Sequence, residues 1–145
     1  MAICSWQTFQ RAISTASNKA FQAQSKPPVL RVVMIIKILF NFFTVNRKYC
    51  INTKPLPVSY GDIVNIRFGN IQMHHHPIHL HGHEFKIVGA DGFPIRKKNQ
   101  IYKNTILVSS EETWDIEFEA RNPGIWPVHC HMLHHVTNNR VIGIG

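Results

Sequence analysis

Carboxylates are absent from the first 61 residues of this 145-residue chain. Residues 1–48 hold Arg11, Lys19, Lys26, Arg31, Lys37, Arg47 and Lys48, a charge of +7, while residues 49–145 hold nine basic and eight acidic groups, +1. The formal charge of +8 therefore belongs to the leader. No nucleic-acid-binding motif accompanies it, which excludes that class of partner. Long apolar runs are also missing. Residues 29–45 come nearest, but Arg31, Lys37 and Asn41 interrupt them. A spanning helix needs about 20 mostly apolar residues, and a secretory signal needs a charge-free core of about 7–15. Cysteine is scarce and odd in number, at Cys4, Cys50 and Cys130, and Cys4 could pair with Cys50 only if the leader folds back. Cys4 and Cys50 are expected to be free thiols. No glycine-rich phosphate loop, Ser–His–acid ordering, repeat or long Ala/Leu/Glu-rich segment is present.

The length fits one domain. Residues 1–26 are rich in Ser, Gln, Ala and Thr, which reads either as an organelle transit peptide or as a poorly ordered tail. Pro27-Pro28 marks the boundary. Residues 38–45 are expected to form a strand feeding the folded region; a membrane anchor is the alternative. The resulting division is an N-terminal segment, 1–37, and a folded domain, 38–145.

From Tyr49 onward, short apolar runs are separated by Gly, Pro, Asn and Asp, the pattern of an all-β sandwich or barrel. Val64, Ile66 and Phe68 share one face of an alternating segment. A second strand is expected over 84–88, turning at 89–92, and a third over 103–108. In residues 113–119, Trp114, Ile116 and Phe118 should face the core, and Asp115, Glu117 and Glu119 the solvent. Asn122-Pro123-Gly124 turns the chain into a strand through His131. Trp114 and Trp126 are read as core residues, Met73 and Met132 as packing residues. His74, His75, His83, His134 and Lys97-Lys98 are read as exposed loop positions.

What the chain has in excess is imidazole. All ten histidines lie in two windows, 74–83 and 129–135, the second enclosing Cys130. One thiol among imidazoles points to copper, iron or zinc before the oxygen-seeking magnesium and calcium. On extended strands neighbouring side chains point to opposite faces. His129 and His131 then share one face and Cys130 takes the other; His79 and His81 share one face and His76 takes the other. Two strands side by side would make two sites. One gathers Cys130 and His76, with His135 arriving from the following turn. The other gathers His79, His81, His129 and His131. A set of two histidines and one cysteine is a blue-copper electron-transfer arrangement.

His76-Pro-Ile-His-Leu-His-Gly-His83 and Trp126-Pro-Val-His-Cys-His-Met-Leu-His-His135 resemble the two copper motifs in the last cupredoxin domain of multicopper oxidases, the laccase-like enzymes. The resemblance runs from about residue 41 to the C-terminus and includes Tyr60-Gly61-Asp62 and Asn122-Pro123-Gly124. It implies a Greek-key cupredoxin sandwich. It further implies type 1 copper on His76, Cys130 and His135, type 2 copper on His79, and type 3 copper on His81, His129 and His131. The implied activity is one-electron oxidation of a phenol, aromatic amine or metal ion, coupled to reduction of dioxygen to water. A secreted or periplasmic location is implied as well.

The chain departs from the family pattern in several places. No other His-X-His set is present, so another cupredoxin domain or chain must complete the three-copper cluster. Arg140 stands where the axial position is usually Met, Leu or Phe, which fits a shifted loop or a truncated last strand. Val136 replaces an acid found in some members. Pro127 is expected at a sheet edge or bulge. The leading expectation is a C-terminal copper domain, as a fragment, of a laccase-like oxidase. The rival is a stand-alone type 1 electron-transfer or copper-binding module, and the third reading a non-functional remnant. The retained four-histidine half-cluster favours the first, because an electron carrier has no use for it.

Overall fold

Alternating apolar residues set the strands, and two sheets result. The computed structural model describes residues 7–11, 29–39, 42–45 and 55–132. One sheet, here sheet A, has the order β10 (Thr105–Val108), β6 (His76–Leu80), β12 (Ile125–Cys130), β1 (Gln7–Arg11) and β4 (Leu56–Val58). Sheet B runs β3 (Phe42–Val45), β2 (Val29–Leu39), β5 (Ile63–Asn70), β11 (Thr113–Glu119), β7 (Phe85–Ala90) and β8 (Phe93–Pro94), with β9 (Tyr102–Lys103) also pairing β7. Among the described residues the only helical element is a single 3-10 turn at Lys97–Asn99. The class is all-β, as the spacing of apolar runs predicts.

Both sheets contribute to one core. Val64, Ile66, Phe68, Ile116 and Phe118 come from β5 and β11; Ile78, Leu80, Ile106, Val108, Val128 and Cys130 come from sheet A. Burying a side chain of this size stabilises by roughly 1.5–3 kcal/mol, so the alternation on these strands is well determined. Ile116 and Phe118 are buried as expected. Trp114 is half-buried and packs against the core from its rim.

Several expectations change in detail. The apolar stretch at 29–45 forms two antiparallel strands, β2 and β3, rather than one strand over 38–45. β2 starts at Val29, crosses the 37/38 division and pairs in parallel with the full length of β5. Among the described residues, no helix is long and apolar enough to cross a membrane. The strand expected over 84–88 continues to Ala90, because the turn is a two-residue hairpin at Asp91 (φ 47) and Gly92 (φ 82). Paired positive φ values suit the right-handed twist of the flanking strands, and Asp-Gly tolerates them.

The segment 103–108 is divided between the sheets. Lys103 pairs with β7 in sheet B, and Thr105 begins β10 in sheet A. Asn104 is the corner. Pro127 also lies elsewhere than expected, in a strand flanked by β6 and β1 rather than at an edge. The missing N–H is tolerated because of where it falls. The Pro127 carbonyl accepts from His81 N–H (3.0 Å), one residue past the end of β6. The other end of the same ladder mirrors this: the Pro77 carbonyl accepts from His131 N–H (2.7 Å), one residue past β12. A proline bounds the β6–β12 ladder at each end, exchanging one bond where other residues exchange two.

Candidate metal centre

The antiparallel register of β6 and β12 places His129 opposite His79 and Cys130 opposite Ile78. The two strands therefore present residues of opposite parity to opposite sides of sheet A. On the core side, His76 and Cys130 are both 0% exposed, with Sγ 3.8 Å from His76 Nδ1. They are diagonal neighbours across the ladder. The approach to His76 is set by Asn70, which spacing alone did not single out. Its Nδ2 lies 2.7, 3.1 and 3.0 Å from the carbonyls of His74, Val108 and Ser109, and its Oδ1 accepts from Gln72 N–H (2.9 Å). Asn70 is itself only 1% exposed. Burial pushes the Cys130 thiol up to about 11, partly offset by a hydrogen bond from the Met132 backbone. At neutral pH without metal it is a protonated, core-like thiol.

On the other side of the sheet four imidazole rings gather. Ring centroids lie 4.6 Å apart for His79 and His81, 5.0 Å for His81 and His129, and 5.7 Å for His129 and His131. His79 lies 5.9 Å from His129 and 5.7 Å from His131. Nε2 of His81 is 2.8 Å from Nε2 of His129. His131 is exposed and His129 nearly buried. Two rings have their tautomers set by carbonyls, which only accept. His79 Nδ1 donates to Asn104 O (2.8 Å) and lies 2.9 Å from Thr105 Oγ1; His129 Nδ1 donates to Cys130 O (2.8 Å). For His129 this leaves Nε2 facing the cluster, at Nε2 of His81.

Burial first, then the neighbouring rings of His79, His129 and His131, lowers the pKa of His81. Burial likewise lowers that of His129, with the Cys130 hydrogen bond opposing and His79 and His131 adding. Neutral imidazoles with fixed tautomers are metal-ready donors. Among the described residues, no three His, Cys, Asp or Glu side chains converge on one point. The third core-side candidate, His135, lies outside the described residues, as do Val136, Arg140, Cys4 and Cys50. The donor set nonetheless fits copper in kind: one thiol with an imidazole at van der Waals distance, and a separate all-imidazole group.

Residues flanking the motifs behave less uniformly. Met132 packs against the core, but Met73 is 89% exposed, so it does not pack as expected. His83 is half-buried rather than a free loop residue. Trp126 is half-buried at the rim, not in the core, where with Tyr60, His83 and Phe118 it lines a cavity of about 20 Å³. The cause is glycine. The indole lies flat where a Cβ on Gly82 would stand, 2.2 Å from Trp126 Cδ2, and against Gly124.

The pattern has counterparts. The chain is 38% identical over 93 residues to multicopper oxidase MmcO of Mycobacterium tuberculosis, covering 64% of this chain and 18% of that protein. It is 34% identical over 97 residues to laccase-10 of Arabidopsis thaliana, covering 59% of this chain and 17% of the relative. It thus spans about a fifth or less of these curated relatives. Among solved structures, the blue copper oxidase of Nitrosomonas europaea matches with a TM-score of 0.65 at 29% identity, over 70% of this chain and 37% of that one. The multicopper oxidase mgLAC matches with a TM-score of 0.68 at 29% identity, over 84% and 42%. These structures share the cupredoxin fold of this chain. The family model for multicopper oxidases matches residues 18–142, taking in both strands of the β6–β12 ladder and the imidazoles on its two faces. With the fold, the two histidine motifs and that match in agreement, the chain belongs to the multicopper oxidase family.

Proposed function

We propose that this chain is the copper-binding, C-terminal cupredoxin domain of a laccase-like multicopper oxidase. His76, Cys130 and His135 hold type 1 copper, His79 is the type 2 ligand, and His81, His129 and His131 serve the type 3 pair. A partner domain or chain brings the remaining histidines. The folded unit extends the 38–145 division to include β2 from Val29. When bound, copper supplies one-electron oxidation of a phenol, aromatic amine or metal ion at the first site and reduction of dioxygen to water at the cluster.

The protein's own residues divide the labour. Cys130 and His76 lie in the dry core, where burial favours charge compensation by a bound cation over an ionised free thiol. His79 and His129 are locked by carbonyls into the tautomer that offers Nε2. Cys130 is covalently continuous with His129 and His131, so the two faces of the sheet are joined through a few backbone bonds. The single observation that carries the reading is this opposition: thiol and imidazole on one face of a ladder, four imidazoles on the other, with His129 and Cys130 adjacent in sequence.

A stand-alone electron-transfer module is the second reading. The four gathered rings favour the oxidase, because that module would require only the core-side set. The test is copper titration of the full chain followed by visible absorption. An intense thiolate-to-copper band, abolished in Cys130→Ser, is expected. A colourless copper complex indifferent to that substitution removes the type 1 assignment. The chain alone is expected not to consume oxygen with a phenolic donor; turnover by a proven monomer removes the requirement for a partner.

A further inference from the structure

We propose that Asn122 is a positioning residue for His81, pinning the turn at 81–83 to the start of β12 so that His81 presents Nε2 to His129. The geometric part stands alone; its consequence for copper rests on the reading above.

Of the four clustered residues, His81 and His131 each lie one residue past a strand end, tied to the facing strand by a single backbone bond. β6 ends at Leu80, and the backbone of His81 is tied to β12 by one bond, its N–H to the Pro127 carbonyl. Pro127 has no N–H to return. The rings of His79 and His129 are braced directly, His79 by Asn104 and Thr105 and His129 by the Cys130 carbonyl, whereas His131, like His81, has its backbone bond to a proline carbonyl. Among the described residues, the only hydrogen bond to the His81 ring is the one at Nε2. Its aim is therefore set by the turn that follows.

That turn is gripped through one side chain and its backbone. Gly82 has φ +71, a left-handed conformation that favours glycine, and its Cα faces the Trp126 indole too closely for any Cβ. Asn122 Nδ2 donates to the Gly82 carbonyl (3.0 Å). Asn122 N–H donates to His83 Nε2 (3.3 Å), and the Asn122 carbonyl accepts from Trp126 Nε1 (2.9 Å). Three polar groups of one residue thus join the peptide after Gly82, the ring of His83 and the indole packed on the turn. Hydrogen bonds to a ligand's surroundings commonly change metal affinity by about 10–100-fold.

The experiment uses the full chain, metal-free, with histidine ring nitrogens followed by ¹⁵N NMR. Asn122→Ala deletes only the bond to Gly82, leaving both backbone bonds, so the fold is preserved. His81 and His129 ring signals should shift or broaden, while those of His79, braced separately, stay in place. Trp126→Phe keeps the ring against Gly82 but removes Nε1–H, and should act in the same direction with smaller amplitude. Unchanged His81 signals in Asn122→Ala, or an equal change at His79, overturns the proposal. A second arm titrates Cu(II) into the Cys130→Ser background. Asn122→Ala should weaken binding about tenfold or more, with no further loss when combined with His81→Ala. Ring signals that move without any histidine-dependent copper binding would leave the positioning intact and sink the copper reading. Copper binding through His81 that Asn122→Ala does not alter, with unmoved rings, sinks the positioning alone.

Discussion

On the core-facing side of sheet A, His76 and Cys130 are 0% exposed among isoleucine, leucine and valine side chains. On the opposite side, His79, His81, His129 and His131 meet mainly one another, and His131 is open to solvent. The first pocket is shaped by close packing, the second by carbonyls that fix ring tautomers. One strand supplies both, because a period of two residues sends Cys130 inward and its two neighbours outward. A one-residue slip of β12 against β6 would exchange the faces, placing a thiol in solvent and imidazoles in the core. The hydrophobic residues of these strands thus decide, by fixing register, which donors gather on which face.

The largest test of this contrast is stability. Leu80 is 2% exposed and lies within the first motif, on the core side. Leu80→Ala should cost about 2–5 kcal/mol in urea unfolding of the metal-free chain. His131→Ala, on the open side, should stay within about 0.5 kcal/mol. Equal costs would mean that the outer rings are part of the packing after all.

The faces should also fail at opposite ends of the pH scale. Cys130 has a folded pKa raised to about 11 by burial. The unfolded chain loses this proton first, so stability is full below the ordinary thiol value and is lost as pH rises through about 9 to 11. A two-unit difference corresponds to about 2–3 kcal/mol. The alkaline loss should be reduced in Cys130→Ser; an unchanged slope would mean that the thiol ionises freely. His81 and His129 have folded values below the ordinary 6.5. The unfolded chain therefore binds protons that the folded chain resists. Stability is full above that value and falls as pH drops below it. Replacing both residues with Gln should flatten the acid limb of a melting-temperature profile, and an unaltered limb would assign that loss to other groups.

How much of this the sequence reveals differs between the faces. Alternation in 63–68 and 113–119 identifies buried positions, and strand parity separates Cys130 from its flanking histidines, because both rest on a period of two. What fixes the rings is less legible. The acceptors for His79 and His129 are main-chain carbonyls of Asn104 and Cys130, and a carbonyl carries no residue identity. Asn104 matters because the chain changes sheets there, which no local pattern announces. β1 joins sheet A from a leader whose Gln-Thr-Phe-Gln-Arg has no strand periodicity; its place beside β12 and β4 is a long-range pairing. Pro127 is misleading for a related reason. Proline is unsuited to a sheet interior where its missing N–H deprives a strand carbonyl of its donor, and here the carbonyl opposite belongs to His81, one residue beyond β6.

A small effect is expected on the outer face of sheet B, where polar side chains pair across strands. Arg67 meets Asp115 through two hydrogen bonds of 2.6 and 2.8 Å, and Asn65 Nδ2 donates to Glu117 (3.1 Å). The carboxylate raises the Arg67 pKa, chiefly by hydrogen bonding and then by charge. Half of the Arg67 side chain is nevertheless exposed, and solvent screens such pairs to about 0–1 kcal/mol. Arg67→Gln should therefore lower stability by less than about 1 kcal/mol, with the difference shrinking as salt is raised. Copper binding should be unaffected, since the two outer faces lie on opposite sides of the shared core. A loss of copper affinity in this variant would show that sheet B braces the metal strands through the core, and that the two faces of sheet A are less independent than their chemistry implies.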